Sequence, residues 1–159
     1  MADLNVRVGD LHLRNPVMPA SGCFAIEYSE ALDFNHLGAL VIKSVSPRSR
    51  AGNPTPRVTE AYSGMLNSIG IPSKGLDHYR REVLPSYTRF DTPVVVSISA
   101  DTVDEFAQAV AEMSLPEVAA IEANISCPNL EADGMAFAMT PETTYKVVSA
   151  IRRRKCKWP

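Results

Sequence analysis

Four short apolar runs alternate along this chain with segments of helical period, and this alternation constrains the fold most. The runs are rich in β-branched residues and lie at residues 16–19, 39–42, 93–98 and 119–125. Each is too short for a helix and too continuous for a strand with one face in water. Strands buried on both faces have this composition, so the chain is predicted to contain a parallel sheet.

Amphipathic helical patterns separate the runs. One begins after Thr102, which opens a capping box, and another begins after Thr140, where Pro141 suits the first helical position. A third starts at Gly75 and extends to Tyr87, although Pro85 is expected to end or kink it, and a shorter helix is expected at 28–33. The order of runs and helices predicts a series of βα units with right-handed connections.

Two α/β architectures fit this series. A doubly wound open sheet is complete at 159 residues, whereas a (β/α)8 barrel needs about 250. The chain stops where a further buried strand is expected, which favours about the first four βα units of a barrel. We therefore expect residues 1–159 to form one N-terminal half-barrel, with a hairpin at about 4–13 and a long connection at about 46–74.

Composition and spacing exclude several classes of protein. No apolar stretch reaches the roughly 18 residues of a membrane span, and the start lacks the pattern of a secretory signal. We expect a cytoplasmic protein that binds neither membrane nor nucleic acid, because the basic residues gather at the C-terminus, where they suit a helix end. The three cysteines and three histidines lack metal-ligand spacing, so no metal site is expected.

The segment at 122–129 carries the strongest chemical signal. Asn124 and Asn129 bracket Cys127 at the end of the fourth run, the end at which α/β folds place their chemistry. Carboxamides suit a planar, carbonyl-rich ligand, and a thiol beside them serves as acid, base or nucleophile. The alternative is a buried small thiol between two turn residues, and these two interpretations are about equally weighted.

Three other segments are candidates of weaker signal. Lys43 follows the second run directly and either extends to solvent or holds an anion. Residues 62–72 combine two glycines with Asn67 inside the long connection, and residues 19–24 place small side chains after the first run. Taken singly, each of these segments is also an ordinary turn or loop.

Together, in order along nearly the whole chain, these segments resemble class 1 dihydroorotate dehydrogenases. The matching strings are NPVMPASGCF (15–24), VIKS (41–44), GNPTPR (52–57), GMLNSIGI (64–71) and NISCPN (124–129). The sequence Met65-Leu66-Asn67 is more similar to the NAD-linked B type than to the fumarate-linked A type. The resemblance implies an FMN-dependent (β/α)8 barrel that oxidises dihydroorotate to orotate in pyrimidine synthesis.

The resemblance also implies roles for individual residues. Cys127 matches the catalytic base, Lys43 and Asn124 match residues that touch both flavin and substrate, and Asn129 matches a substrate contact. The substrate loop corresponds to Asn67, Ser68, Ile69, Gly70 and Ile71.

The cofactor positions include one departure from the family. Ser21 and Ser44 match flavin contacts, whereas Ser97 stands where the family has a flavin-contacting asparagine. The shorter serine is expected to need a bridging water.

The resemblance implies partners as well: dihydroorotate and orotate, a second copy in a homodimer, and in the B type an iron-sulfur/FAD electron-transfer subunit. The family continues into four further strands, so we expect this chain alone to be an incomplete enzyme with weak or no FMN binding. Three alternatives remain: another flavin barrel such as a dihydropyrimidine dehydrogenase or a dihydrouridine synthase, a non-catalytic assembly module, and a cysteine hydrolase on an open sheet.

Overall fold

A computed structural model describes residues 2–126 and 136–154 of the chain. Its strands are β1 (Val6–Val8), β2 (Leu11–Leu13), β3 (Leu40–Val45), β4 (Val58–Ala61), β5 (Gly64–Asn67), β6 (Val94–Ile98) and β7 (Ala120–Ala123). Its helices are α1 (Leu76–His78), α2 (Leu84–Tyr87), α3 (Val103–Met113) and α4 (Pro141–Arg153). Short 3-10 turns cover Ile26–Glu30, Phe34–His36 and Phe137–Met139.

The central sheet is parallel, with the strand order β3-β6-β7. The segment 76–87 connects β3 to β6, and α3 connects β6 to β7, so the predicted βα units are confirmed. One face of the sheet packs on these helices through a buried core that includes Ile42, Val96, Phe106 and Val147. Burial on both faces explains why these strands read as continuous apolar runs.

The other face, which we call the inner face, is closed at the N-terminal ends of the strands. Leu13 of the β1–β2 hairpin packs there against Ala39, Val41 and Val95. The predicted N-terminal hairpin is therefore present, and its position leaves the C-terminal ends of the strands as the open part of the inner face.

The helix starts follow the local sequence. The Thr102 hydroxyl accepts a hydrogen bond from Glu105 N at 3.0 Å, and the Thr140 hydroxyl accepts one from Thr143 N at 3.2 Å. Both threonines satisfy backbone N–H groups that the helix itself cannot pair. Pro141 occupies the first turn of α4, as predicted.

The segment 76–87 is helical throughout but not uniformly α-helical. A π-helical stretch at Tyr79–Val83 joins α1 to α2. It ends at Val83, two residues before Pro85, which lies in the first turn of α2 and lacks an N–H to donate. Pro85 therefore does not terminate the helix.

Two predictions of local structure are wrong. The run at 16–19 forms no strand: Val17 and Met18 are 57% and 50% exposed, and the Val17 carbonyl accepts one bond, from Gly38 N at 2.9 Å. Two of its four residues are prolines, which removes half of its backbone donors. The short helix expected at 28–33 is a 3-10 turn at Ile26–Glu30 instead.

No helix among the described residues is long and apolar enough to cross a membrane.

Candidate functional site

The candidate site lies where the three parallel strands end on the inner face. A β-bulge interrupts the pairing of β3 with β6 between Ile42 and Val45, so Lys43 and Ser44 together stand opposite Ser97. By strand alternation from Val95, Ser97 points to the inner face. The bulge brings two consecutive residues of β3 to the site, where a regular strand would bring one.

Hydrogen bonds join the polar side chains of the three strand ends. The hydroxyl oxygens of Ser44 and Ser97 are 2.7 Å apart, and Asn124 Nδ2 donates to Ser44 Oγ at 3.1 Å. Asn124 N also donates to the Ile98 carbonyl at 2.8 Å, which extends the pairing of β7 with β6 by one residue. Three residues that the sequence predicts as cofactor contacts, Ser44, Ser97 and Asn124, are thus brought into one row.

Lys43 is the exposed residue of an otherwise buried strand. Its ammonium group makes no hydrogen bond or ion pair with any residue between 2 and 126 or between 136 and 154. Gly22 packs against its aliphatic stem, since a Cβ added at Gly22 would lie 3.5 Å from Lys43 Cγ. A cation held at a sheet edge without an acidic partner suits an anionic ligand.

The segment containing Ser21 reaches the same corner of the fold. Cys23 N donates to the Ala20 carbonyl at 3.0 Å and closes a tight turn around Ser21 and Gly22. Gly22 has a φ of +78°, a conformation that glycine adopts without strain. This turn places Gly22, the chain neighbour of Ser21, against the stem of Lys43.

The long connection at 46–74 folds back on itself as an antiparallel arm. At its base, Arg50 and Ser73 exchange backbone hydrogen bonds of 2.7 and 2.9 Å, and at its tip β4 pairs with β5. The Arg50 guanidinium lies 2.7 Å from the Asp101 carboxylate, which follows β6. This ion pair ties the arm to the C-terminal edge of the sheet.

The predicted substrate loop, residues 67–71, is held from within the arm. Ser68 N donates to the Arg57 carbonyl at 2.8 Å, and the Asn53 side chain donates to Ser68 Oγ at 2.6 Å. Ile71 has a φ of +48°, which is uncommon for a β-branched residue. The loop therefore has a defined backbone shape that depends on Asn53.

We expect Gly70→Ala to disrupt this loop. Gly70 has a φ of +80°, and an added Cβ would lie 2.5 Å from Asn53 N, so either the loop or Asn53 must move. Gly64→Ala is the matched control, because Gly64 has open space around it in the same arm. In amide NMR spectra, Gly70→Ala should shift the signals of residues 52–53 and 67–71. Equal spectral changes in the two variants would contradict the loop geometry.

A cavity of about 560 Å³ opens beside Lys43 and Ser44 and extends under the helical segment 76–87. Tyr87 in its wall donates a hydrogen bond to the Phe24 carbonyl at 3.1 Å. Burial raises the pKa of both Tyr79 and Tyr87 above the ordinary tyrosine value, so both hydroxyls are neutral near pH 7. Among the described residues the Tyr79 hydroxyl has no hydrogen-bond partner.

Two predicted residues lie outside the described part of the chain. Cys127 and Asn129 follow Ser126 and fall between the described ranges 2–126 and 136–154. Their roles stay predictions. Across residues 2–126 and 136–154, no cluster of three histidine, cysteine or acidic side chains could hold a metal ion.

Sequence reasoning missed two contributors to the site. The hydroxyl of Ser126 lies 3.2 Å from Asn124 Oδ1 and donates to it, which holds the carboxamide from its second end. The Arg50–Asp101 ion pair joins residues 51 positions apart. Ser126 lies inside the motif at 124–129, so the sequence could have indicated it. No short stretch of sequence indicates the ion pair.

Comparison with known proteins gives consistent matches along the chain. A sequence model described as dihydroorotate dehydrogenase matches residues 3–157. Catalytic subunits of dihydroorotate dehydrogenase B (NAD(+)) are 44% identical over 155 residues in Listeria monocytogenes, and 43% over 158 residues in Geotalea uraniireducens. These matches cover 96% and 98% of this chain but 51% and 52% of the relatives, so the chain spans about half their length.

The fold is likewise similar to a solved structure. The DHODH from Eimeria tenella, solved in complex with ferulenol, matches with a TM-score of 0.71 at 20% identity. The match covers 96% of this chain and 44% of that chain. Together with the parallel sheet, this similarity confirms the prediction of a partial (β/α)8 barrel.

Proposed function

Since this chain belongs to the dihydroorotate dehydrogenase family, we propose that it supplies the N-terminal part of an FMN-dependent site that oxidises dihydroorotate to orotate. The observation that carries the proposal is the meeting of Lys43, Ser44, Ser97 and Asn124 at the ends of three parallel strands. These are the positions that match the family's cofactor and substrate residues. Parallel α/β sheets bind their ligands at this edge.

The described residues fit a flavin. Lys43 offers an ammonium group without an acidic partner among the described residues, and Gly22, with a φ of +78°, lies beside that lysine. Bound FMN supplies a two-electron acceptor for the hydride from C6 of dihydroorotate. Ser21, Lys43, Ser44 and Asn124 would hold it, with Ser97 hydrogen-bonded to Ser44 behind them, and the positive charge of Lys43 would favour the anionic reduced form.

The chain's own residues would bind and deprotonate the substrate. In this proposal Cys127 takes the proton from C5 of dihydroorotate, as a thiolate held among carboxamides is able to do. Asn67, Asn124 and Asn129 provide amide groups for the ring and the carboxylate. The backbone of Ser68, Ile69, Gly70 and Ile71 would close over the ligand, supported by the contacts of Asn53.

Membership of this family also supports proposals for the partner subunit, the oligomeric state and the pathway. The relatives are named NAD(+) catalytic subunits, which supports an electron-transfer partner, proposed here as an iron-sulfur/FAD subunit. We propose in addition a homodimer in the cytoplasm that works in pyrimidine biosynthesis.

Activity is tested in two forms of the protein. One is the chain by itself, and the other, here called the assembled protein, is the full chain joined to the C-terminal half of the Listeria monocytogenes relative. We expect the chain alone to bind FMN weakly or not at all, and the assembled protein to be yellow and to convert dihydroorotate to orotate.

Substrate comparison decides between this function and its competitors. Dihydroorotate is offered to the assembled protein with oxidised flavin and an added electron acceptor, uracil and tRNA are offered to the same protein after its flavin has been reduced with dithionite, and the products are identified. Reduction of uracil or of tRNA without oxidation of dihydroorotate would replace the proposed function with that of another flavin barrel. Bound flavin with no turnover of any of the three would overturn it.

A further inference from the structure

Ser97 differs from the other predicted cofactor contacts because its side chain is completely enclosed. It is 0% exposed, whereas Ser44 at the same edge is 9% exposed. Among the described residues, the Ser97 hydroxyl has one hydrogen-bond partner, Ser44 Oγ at 2.7 Å. Direct contact between Ser97 and a bound ligand would require the strand ends to open.

The direction of the Ser44–Ser97 hydrogen bond follows from the number of protons available. Each hydroxyl has one proton to donate, and an amide nitrogen is a donor only, so Ser44 Oγ accepts from Asn124 Nδ2. If Ser44 also donated to Ser97, the buried Ser97 proton would face no acceptor among the described residues. An unmet buried donor is costly, so Ser97 donates to Ser44.

Ser44 therefore accepts two hydrogen bonds, and its own proton is directed away from both partners. In the described residues, that proton has no protein acceptor within hydrogen-bond distance. Ser44 is also the member of the pair that reaches the surface of the site, next to Lys43. Ser44 and Lys43 line the same cavity, so a ligand bound there is the available acceptor.

We propose that Ser97 is a positioning residue that fixes Ser44 as a hydrogen-bond donor to an acceptor atom of the bound flavin. The proposal rests on the proposed function for the identity of the ligand. It also replaces the water-bridged contact expected from the sequence: Ser97 acts on the ligand through Ser44 and does not touch it.

The chain offers a conservative variant and a matched control. Ser97→Ala removes the donor, and Ser97→Thr restores a hydroxyl at the same position. Ser99→Ala is the control, because Ser99 lies two residues further along the same chain segment, is also 0% exposed, and has a hydroxyl with no partner among the described residues. It deletes the same atom without affecting Ser44.

The first measurement needs no flavin. In NMR spectra of the assembled protein without FMN, we expect a slowly exchanging hydroxyl proton on Ser97 with a nuclear Overhauser contact to the Cβ protons of Ser44. Ser99→Ala should keep this signal and Ser97→Ala should lose it. A protected hydroxyl proton on Ser44 directed at Ser97, or none on either serine, would overturn the donor direction.

The second measurement is the dissociation constant of FMN. We expect Ser97→Ala to weaken binding by about three- to tenfold, the value of one neutral hydrogen bond. Ser97→Thr and Ser99→Ala should stay within about twofold of the unmodified protein. Unchanged affinity in Ser97→Ala, or an equal loss in Ser99→Ala, would overturn the positioning role.

The two measurements separate this inference from the proposed function. If the assembled protein binds no FMN, the proposed function is wrong. The inference that a flavin atom accepts the Ser44 hydrogen bond is then wrong as well. The direction of the Ser97–Ser44 bond is decided by the flavin-free spectra alone.

Discussion

Replacing Cys127 with alanine is expected to lower dihydroorotate oxidation by the assembled protein by about a hundred- to ten-thousandfold, the usual contribution of a general base. Bound FMN should be retained, because the residues proposed to hold the flavin are elsewhere. Alanine keeps the small size of cysteine and removes the group that accepts the C5 proton. Turnover and visible absorbance are measured on the same sample, so that loss of chemistry is distinguished from loss of cofactor.

Cys23→Ala is the matched control for this prediction. Cys23 is exposed in the turn after the first apolar run, and its thiol has no role in the proposed chemistry. Near-normal oxidation by Cys127→Ala would remove the assigned base. Equal losses in the two cysteine variants would point to a general effect of losing a thiol, which the proposed mechanism does not predict.

Lys43→Met should weaken FMN binding by roughly 10- to 100-fold, as expected for the loss of a hydrogen bond to a charged group. Methionine keeps the unbranched stem that packs on Gly22 and removes only the ammonium group. Because that group has no partner among the described residues, its loss should leave the fold intact. Affinity is measured at low and at high salt, since a charge-dependent contact weakens with ionic strength.

Lys146→Met controls for the loss of a lysine charge, because Lys146 lies on an exposed position of α4. It should change neither the affinity for FMN nor its salt dependence. If Lys43→Met binds FMN as tightly as the unmodified protein, the anion-binding role of Lys43 is wrong. If its thermal unfolding temperature falls sharply, the ammonium group stabilises the fold, and the prediction that its loss leaves the fold intact is wrong.

The elements that form the open end of the inner face were predictable from short stretches of sequence. The strands β3, β6 and β7 and the starts of α3 and α4 were predictable, because burial on both faces and side-chain capping each act within a few residues. Thr102 and Thr140 each indicate a helix start by themselves, because each hydroxyl accepts a hydrogen bond from a backbone N–H three residues later. The identity of the candidate site residues came from motifs and from the family resemblance they support.

The tertiary structure alone decided how those residues meet. The bulge at Lys43 and Ser44 depends on the partner strand, and the Ser44–Asn124 contact joins residues 80 positions apart. The run at 16–19 shows the same dependence, because apolar composition does not make a strand without neighbours to pair its backbone. Local sequence therefore determined which segments become strands and helices. Register, the meeting of Ser44 with Ser97 and the exposure of Lys43 were decided by contacts between strands distant in sequence, whose geometry no local pattern encodes.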